Sequence, residues 1–565
     1  MQVFNIYIMQ TKKLIILTFI FSGFFISSCE SLLSPEPENY FTEEMLKTDM
    51  PFAEGLLLNA LQIGNFTANE SAATDNAVSN LNGNIYRRMA TGEWSSQFNP
   101  VSTWNDSYNS IYYINQFLNI VDDVTWSWQS AARDTFFRER FTGEAHGLRA
   151  WHSFNLLRNH GGRAADGSLL GYVIVDQSVD KGTEWKLPRS SFEACVQQIY
   201  DDIQKGIELL PMDYQDTGEP DYDVVFGKQN NGRVTSRILM ALKSRVSLHV
   251  ASQAYDPSVE KWEFAADVAA ELLNTINGVS GLSSSGHKWY LNANDKEIIW
   301  RKDVQNINSW ERDNYPPSLY GNGRVNPSQN LVDAFPMKNG YPISHQESNY
   351  DLMNPYSQRD PRLTEYIVYN GNRVGPENVQ IITGVVDGTN QSTNATRTGY
   401  YLKKFMHPQV NLAPEVNSTR PHFNTLLRYT EVFFNYAEAA NEAWGPTGDP
   451  RGYGLTATSV IAAIRKRGGI TQPDAYLNSI TSKEEMRELI RNERRIELSF
   501  EGFRFWDLRR WNLDLTDTAK GIIITDNNHS IVNVEERDYE QHMIYGPVPY
   551  LEILRNELLI QNAGW

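Results

Sequence analysis

Apolar residues recur at intervals of three and four positions along most of this chain, which is the spacing of one face of an α-helix. Leu148, Trp151 and Phe154 follow this spacing in the first half of the chain, and Ile238, Leu242 and Val246 follow it further along. The pattern predicts helices over 144–159, 191–210, 233–251, 262–276, 426–443, 458–467 and 483–500.

Several of these helices come in adjacent pairs joined by short loops. Alanines stand where the two helices of a pair must approach closely, for example in the stretch 437–440. This arrangement is typical of tetratricopeptide-like helix pairs, although no strict repeat of roughly 34 residues fits the sequence. We therefore predict a mainly α fold, with a helical scaffold over about 45–277 and 425–565.

A loop-rich segment over about 278–424 separates the two helical parts. It is rich in Gly, Asn, Ser, Pro, Tyr and Trp and has few long periodic runs, so we expect irregular structure with a few short strands, one of them over 380–386. Loops held on a rigid scaffold commonly carry binding residues. We expect this segment to be a ligand-binding insertion in a single body spanning 45–565.

Residues 1–28 have the features of a secretory signal peptide. Lys12 and Lys13 precede the uncharged apolar run 14–26, which is shorter than the roughly 20 residues of a membrane-spanning helix. Small residues lead directly to Cys29, as in a bacterial lipobox, so we predict cleavage before Cys29 and lipidation of its thiol. The polar stretch 29–44 would then be a tether. The alternative is an ordinary secretory signal with an incidental cysteine.

The amino-acid composition argues against some binding partners and some structural classes for this protein. The chain has 565 residues and a formal net charge of −17, which argues against nucleic acid as a general partner. Two cysteines exclude a disulfide scaffold and a cysteine-rich zinc module. The chain also has 14 Trp and 28 Tyr, enough to supply flat stacking surfaces in addition to a core.

Motifs of enzymes and of metal or cofactor sites are missing from the sequence. There is no His-Glu-x-x-His, no Gly-x-Ser-x-Gly and no complete P-loop. His146 and His152 are six residues apart and therefore lie on different faces of one helix. We expect no cofactor, no metal and no catalytic activity. A glycoside hydrolase stays open at this point, since it needs only two carboxylates across a cleft.

The most specific passage is RNERRIELSFEGFRFWDLRRW at 491–511. It resembles the signature of the SusD/RagB family of outer-membrane nutrient-binding lipoproteins. Other passages that resemble the family follow in the expected order, and they are LRAWHSFNLLR at 148–158, GRVT at 232–235, RDPR at 359–362, LRYTEV at 427–432, PVP at 547–549 and QNAGW at 561–565. We interpret the 491–511 block as a charged helix that packs on the core, and not as a binding site.

The resemblance implies a function as well as a fold. Proteins of this family are surface lipoproteins that sit on a SusC-like TonB-dependent transporter in the outer membrane. They capture oligosaccharide or polysaccharide, or in some cases peptide, and deliver it to the transporter. The glycan site of such a protein is an arc of aromatic rings with amide and guanidinium groups, because the C–H face of a pyranose stacks on a ring while its hydroxyls need polar partners.

Two loops carry candidate site residues. In the first, the resemblance points to the loop before the helix that contains Trp104, with Trp94 as a stacking platform and Asn99 as a hydroxyl partner. The alternative for Trp94 is an anchor of the loop. Arg88 is a further candidate polar partner, and we interpret Trp104 as scaffold.

The second loop holds Trp310, Tyr315 and Tyr320 among polar residues and prolines. Large rings in so polar a stretch are not easily explained as core, which favours a ligand-binding role for them. Asn314 is the candidate polar partner here. Trp289 and Trp300 flank a short apolar stretch, and we interpret both as scaffold.

Three alternatives to glycan capture stay open. The first is the same fold with peptide as the ligand. The second is a glycan-cleaving enzyme, and the third is a structural subunit that shapes the transporter and binds nothing alone.

Overall fold

A computed structural model describes residues 47, 49–61, 63–64, 68–178, 186–375, 377–526 and 528–565. The predicted signal peptide, the lipidation of Cys29 and the tether over 29–44 lie outside these residues. Among the described residues, no helix is long and apolar enough to cross a membrane. No group of three or more His, Cys, Asp or Glu side chains there is placed to hold a metal ion.

Helices of ten residues or more form the scaffold. They are α1 (Met50–Asn59), α3 (Trp104–Ile120), α4 (Ala131–His160), α5 (Phe192–Leu209), α7 (Ser236–Ala251), α8 (Val259–Asn274), α12 (Tyr429–Trp444), α13 (Ala457–Gly468) and α15 (Lys483–Glu497). The shorter helices are α2 (Ile85–Arg88), α6 (Pro220–Phe226), α9 (Ser309–Asn314), α10 (Gln329–Ala334), α11 (Pro361–Tyr366), α14 (Ala475–Ser479), α16 (Arg504–Arg510) and α17 (Tyr550–Arg555).

The strands are short and pair two by two in antiparallel ribbons. The pairs are β1 (Ala77–Ser79) with β6 (Val325–Pro327), β2 (Gly162–Arg163) with β3 (Leu169–Leu170), β4 (Ile298–Arg301) with β12 (Thr425–Arg428), β5 (Gln305–Ile307) with β11 (Arg420–His422), β7 (Ile367–Val368) with β10 (Tyr401–Leu402), β8 (Arg373–Val374) with β9 (Glu377–Asn378) and β13 (Ala519–Thr525) with β14 (Asn528–Glu535).

The long helices pack side by side in sequence order. Helix α4 contacts α3 and α5, α5 contacts α7, and α7 contacts α8. Helix α8 then packs on α12, although the whole loop-rich segment separates these two in sequence, and α12 continues to α13 and α15. This arrangement confirms the prediction of a mainly α fold built from tetratricopeptide-like helix pairs. The extent of the ligand-binding insertion stays a prediction, but every described α-helix between α8 and α12 has six residues.

Helix boundaries follow local capping chemistry. Ser191 caps α5, because its hydroxyl accepts a hydrogen bond from the amide of Ala194 at 3.2 Å. Ser482 and Glu485 form a reciprocal capping box at the start of α15.

Three of the predicted elements are corrected. The predicted helix over 144–159 starts earlier, because α4 begins at Ala131. The predicted helix over 426–443 starts three residues later, because 425–428 is occupied by β12, which pairs with β4. The predicted strand over 380–386 does not form, because its backbone turns: the amide of Val385 donates to the carbonyl of Ile382, and that of Thr383 donates to Ile524 of a distant strand. Short apolar runs specify burial more strongly than they specify backbone conformation.

The described residues form two large hydrophobic cores and a small third cluster around Tyr214 and Phe226. The larger lies among the long helices, and the second lies within the loop-rich segment and includes Phe335, Tyr366 and Tyr401. Helix α15 bridges them, since Met486 and Ile490 belong to the larger core while Ile496 belongs to the second.

The signature block adds a buried ionic network to this bridge. Glu493 binds Arg362 at 2.7 Å and Arg465 at 2.6 Å, and Glu497 binds Arg467 at 2.8 Å and Arg362 at 3.2 Å. Burial alone would raise the pKa of the Glu493 carboxyl, but Arg362 and Arg465 lower it below its ordinary value. The block is therefore scaffold, as the sequence predicts: it joins the helical part to residue 362 of the loop-rich part.

Candidate functional site

The first candidate loop places Trp94 in the interior. Its side chain is 4% exposed, and its indole N–H donates to Asn99 Oδ1 at 3.0 Å. The rings of Trp565, Phe505 and Tyr539 lie 4.8, 5.7 and 6.0 Å from the indole between centroids.

The guanidinium of Arg509 covers the same ring, 4.9 Å from its centroid. A sugar could stack on Trp94 only after these groups had moved away. The structure thus corrects the expectation for Trp94 and Asn99. Trp94 is the anchor of its loop, and Asn99 is the hydrogen-bond partner of that anchor.

Arg88 lies on the surface beside this loop. Its guanidinium binds Glu93 and lies 4.5 Å from the ring centroid of Phe98. The hydrogen bond from Arg88 lowers the pKa of the Glu93 carboxyl. Arg88 is accessible, so its role as a polar partner stays a prediction.

The second candidate loop splits into an anchored part and an open part. Trp310 is half-buried and packs its ring against His422 and Phe405, with centroids 5.0 and 6.0 Å away. The Asn314 amide donates to the carbonyl of Trp310 at 2.9 Å, and its oxygen accepts from the amide of Val325 at 3.3 Å. Both side chains hold the loop together, which corrects the expectation that Asn314 is free to bind ligand.

A buried ion pair fixes this loop to its neighbours. Glu311 accepts a hydrogen bond from His422 Nε2 at 2.8 Å and another from the backbone amide of His407 at 2.6 Å. Burial would lower the pKa of His422, but the hydrogen bond and charge of Glu311 raise it above its ordinary value. The segment that carries Tyr315 and Tyr320 therefore starts from a rigid base.

Tyr315 and Tyr320 line one open groove of about 670 Å³. Tyr315 is 4% exposed and forms its floor, whereas Tyr320 is 59% exposed. We call this the tyrosine groove. It lies between three loop segments, and its other polar lining residues are Ser318, Glu377, Asn378, Gln380, Asp387, Gln409 and Asn411.

The backbone presents Tyr320 by an uncommon turn. Tyr320 has φ +64°, in the left-handed region that bulky residues rarely adopt. The next residue, Gly321, leaves no room for a side chain, since a Cβ there would lie 2.0 Å from the carbonyl oxygen of Tyr315. Asp387 fixes the turn from the other side, because it accepts hydrogen bonds from the amide and hydroxyl of Ser318.

Amide side chains supply the polar chemistry of the groove. Gln409 Oε1 accepts a hydrogen bond from Arg420, and Asn411 Oδ1 accepts one from the amide of Ala413. The NH₂ groups of both residues, and the amide groups of Asn378 and Gln380, make no hydrogen bond within the described residues. An exposed ring beside amides that can donate and accept fits a polyhydroxylated ligand.

The two candidate loops do not form one aromatic site, but their segments adjoin. Strand β1, which precedes Arg88, pairs with β6, which follows Tyr320. Asn80 donates to the carbonyl of Asn322 at 2.9 Å and so ties the two segments together.

Sequence reasoning missed the amides at 378, 380, 409 and 411. The only signal for them is that the whole loop-rich segment is rich in Asn and Gly. In contrast, the rings that the sequence assigned to the scaffold are buried, with Trp289, Trp300 and Trp104 exposed by 1%, 5% and 6%.

Fold and site together define a helix-pair scaffold that presents an open, amide-lined groove on irregular loops. A family model described as "SusD family" matches residues 290–565, and one described as "Starch-binding associating with outer membrane" matches residues 52–223. The chain belongs to the SusD/RagB family.

Similar proteins agree over nearly the whole chain. SusD-like protein P38 of Formosa agariphila is 23% identical over 528 residues, which are 86% of this chain and 89% of that protein. A crystal structure of a SusD-like protein from Bacteroides fragilis has a TM-score of 0.72 and 25% identity, and covers 93% of this chain and 99% of its own. A SusD-like carbohydrate-binding protein from the same species has a TM-score of 0.69 and 18% identity, with coverage of 90% and 99%.

Proposed function

We propose that this protein captures oligosaccharide or polysaccharide at the cell surface, without cleaving it, and delivers it to a SusC-like TonB-dependent transporter. Lipidated Cys29 would anchor it in the outer membrane. The observation that carries the proposal is the exposed Tyr320 ring among amide side chains, in a groove on the loops of a SusD fold. The carbohydrate-binding description of a structural neighbour supports the same ligand class.

The groove favours sugar over peptide. Its polar lining is mostly neutral, with four amides and Ser318 beside the carboxylates of Glu377 and Asp387. None of the described lining residues is a cationic partner for a peptide carboxylate. Asp387 already holds the Ser318 turn. Tyr320 would stack on the C–H face of a pyranose while the amides bind its hydroxyls.

Affinity electrophoresis tests the ligand. The protein is run through gels that contain plant, algal, host or microbial polysaccharides, beside Tyr320→Ala and the control Tyr550→Ala. Tyr550 is also an exposed tyrosine, with 41% of its surface accessible, and it lies on a helix outside the groove. We expect retardation by at least one glycan, with affinity reduced about fivefold or more in Tyr320→Ala and unchanged in Tyr550→Ala.

Other outcomes would redirect the proposal. Equal retardation of all three proteins would remove the groove from the site. Retardation by no glycan would contradict glycan capture and favour peptide as the ligand. Release of sugar from any polysaccharide would contradict the proposal that the protein does not cleave its ligand.

Co-purification tests delivery to the transporter. We expect the lipoprotein, extracted from native outer membranes in mild detergent, to bring down a TonB-dependent transporter. We expect Cys29→Ser protein to lose its membrane association. A chain that purifies without any transporter would contradict the partner.

A further inference from the structure

A second cleft lies in the helical part of the molecule, away from the tyrosine groove. It has a volume of about 320 Å³ and shares no lining residue with that groove. Its wall includes Asp106 of α3, Trp151, Asn155 and Arg158 of α4, and Trp506 of α16. We call this the arginine–tryptophan cleft. Its size is at the lower end of the range for small-molecule pockets and suits one sugar ring.

Arg158 enters this cleft without a carboxylate partner. Its guanidinium lies 4.4 Å from the ring centroid of Trp506, and its hydrogen bonds are two long ones of 3.3 Å to the side-chain oxygens of Asn155 and Asn159. No carboxylate of the described residues lies within ion-pair distance of it. Burial lowers the pKa of Arg158 to about 10, so the guanidinium keeps its charge at neutral pH.

The other two arginines of the cleft differ from Arg158. Arg245 binds Glu431 at 2.5 Å, and Arg428 binds Glu501 at 2.7 Å. Their charges and donors are committed to the scaffold. Arg158 differs from both because it makes no ion pair with a described residue, and its Nη1 group makes no hydrogen bond with one.

Two indoles add to the unused donors. Trp151 is 7% exposed and lines the cleft, and its indole N–H makes no hydrogen bond with any described residue. Trp506 also lines the cleft, and its indole N–H likewise makes no hydrogen bond with any described residue. By contrast, the neighbouring Trp300 donates to the carbonyl of Gly232 at 2.9 Å. Both indole nitrogens are accessible to solvent, so they can donate to a ligand in the cleft that carries oxygen acceptors.

An acceptor and a further donor face the same space. Asp106 is exposed and makes no hydrogen bond or ion pair within the described residues, and the Asn155 NH₂ group is likewise unused. The acids of the lining are Glu70, Asp106, Glu431 and Glu501, against three arginines, so an isolated anion gains no net attraction. A ligand that both donates and accepts fits better than one that only accepts.

We propose that the arginine–tryptophan cleft is a second carbohydrate site, which binds a single neutral pyranose through Arg158, Asp106 and the indoles of Trp151 and Trp506. The inference rests on the proposed function, since it assigns the same ligand class to a separate place. The tyrosine groove would hold the polymer, and the cleft would take a chain end or a free monosaccharide.

Ligand-observed saturation-transfer NMR on the full-length protein tests the cleft, with glucose, galactose, mannose and xylose as neutral probes and glucuronate as the charged probe. The variants are Asp106→Ala and Arg158→Lys. Asn105→Ala is the matched control, because Asn105 is an exposed neighbour on the same helix outside the cleft. Tyr320→Ala reports on the groove.

We expect at least one neutral pyranose to bind, with affinity reduced about fivefold or more in Asp106→Ala and in Arg158→Lys. Asn105→Ala and Tyr320→Ala should bind it as the unmodified protein does. Polysaccharide retardation should show the reverse dependence, lost in Tyr320→Ala and kept in Asp106→Ala.

Each contrary result has a distinct meaning. Binding of glucuronate but of no neutral pyranose would overturn the neutral-sugar proposal. No binding of any probe would remove the site, whether or not the groove retards polysaccharide. Monosaccharide binding that is lost in Tyr320→Ala would place the sugar in the groove and also overturn the proposal. If Tyr320→Ala leaves polysaccharide retardation unchanged while the cleft variants lose monosaccharide binding, only the proposed role of the groove is contradicted.

Discussion

The loops around Trp94 and Tyr320 look alike in sequence and differ in structure. Each places a large ring among polar residues. Trp94 is covered by Phe505, Tyr539 and Trp565 from the C-terminal part of the chain, and it is 4% exposed. Among the described residues nothing comparable covers Tyr320, which is 59% exposed. The comparison teaches that remote segments decide whether an aromatic ring in a loop is an anchor or a binding surface.

The largest expected effect is that of Trp94→Ala. Loss of a buried indole leaves a cavity and removes one of the two donors that bind Asn99 Oδ1, so we expect the free energy of unfolding to fall by about 3–5 kcal/mol. The measurement is urea denaturation followed by circular dichroism. Trp128→Ala is the control, because Trp128 is 82% exposed, and we expect it to change stability by less than about 0.5 kcal/mol. Equal losses in the two variants would erase the distinction between anchor and surface.

The next largest effect is an opposite pH dependence of stability from one histidine in each region. Burial lowers the pKa of His160, which lies beside the first loop, from 6.5 to about 4, while Glu311 raises the pKa of His422, beside Trp310. Between pH 6.5 and 4 the unfolded chain binds more protons at His160, so stability falls as pH falls, by at most about 3 kcal/mol. His422 acts in the opposite sense: its contribution is present below pH 6.5 and is lost as pH rises through its folded pKa.

Denaturation curves at several pH values measure this contrast. We expect His160→Asn to lose less stability on acidification than the unmodified protein, and His422→Gln to lose more. His152 also has its pKa lowered to about 4 by burial and remains in both variants, so the differences between proteins are the relevant quantity. Parallel curves for all three proteins would disprove the opposite signs.

A smaller effect should follow from Trp565→Ala. This terminal residue is partly buried, donates its indole N–H to the carbonyl of Tyr545 at 3.0 Å, and packs 4.8 Å from Trp94. We expect a loss of about 1–2 kcal/mol and stronger quenching of tryptophan fluorescence by acrylamide, because one side of Trp94 opens. An unchanged denaturation midpoint would show that the chain end is not part of the cover.

The smallest effect is expected for Arg88→Ala. Its ion pair with Glu93 lies at the surface, where such pairs contribute little. The denaturation midpoint should not move measurably. A clear drop in the midpoint would mean that the Arg88 contact with Phe98 holds the Trp94 loop in place.

Much of the fold could be predicted from local pattern. Periodic apolar residues predicted both ends of α5, α7, α8, α13 and α15, and the C-terminal end of α4, to within about three residues. Amphipathic spacing and capping residues act over a single turn, so they can be read from local sequence. The prediction missed the start of α4 at residue 131, although Phe137 and Phe141 lie one turn apart in the missed part and pack on the larger core. The strand over 380–386 was wrong because pairing with a partner segment decides a strand.

The candidate site was predicted less well, for a related reason. The tyrosines at 315 and 320 lie in one groove, as their shared loop suggests, but the amides that complete it come from segments near 378 and 410. Trp94, Asn99 and Asn314 use their polar atoms inside the protein. Sequence spacing carries no information on which side chains become one another's partners across so many residues.

The sequence by itself therefore determined the helical scaffold, the family signature and the position of the loop-rich segment. These depend on periodicity and on charges spaced along one helix. The tertiary structure decided which rings are exposed, which amides line the groove and that Arg158 lacks a carboxylate. Those properties are set by contacts between segments far apart in the chain, where burial and hydrogen bonding of each side chain depend on what packs against it.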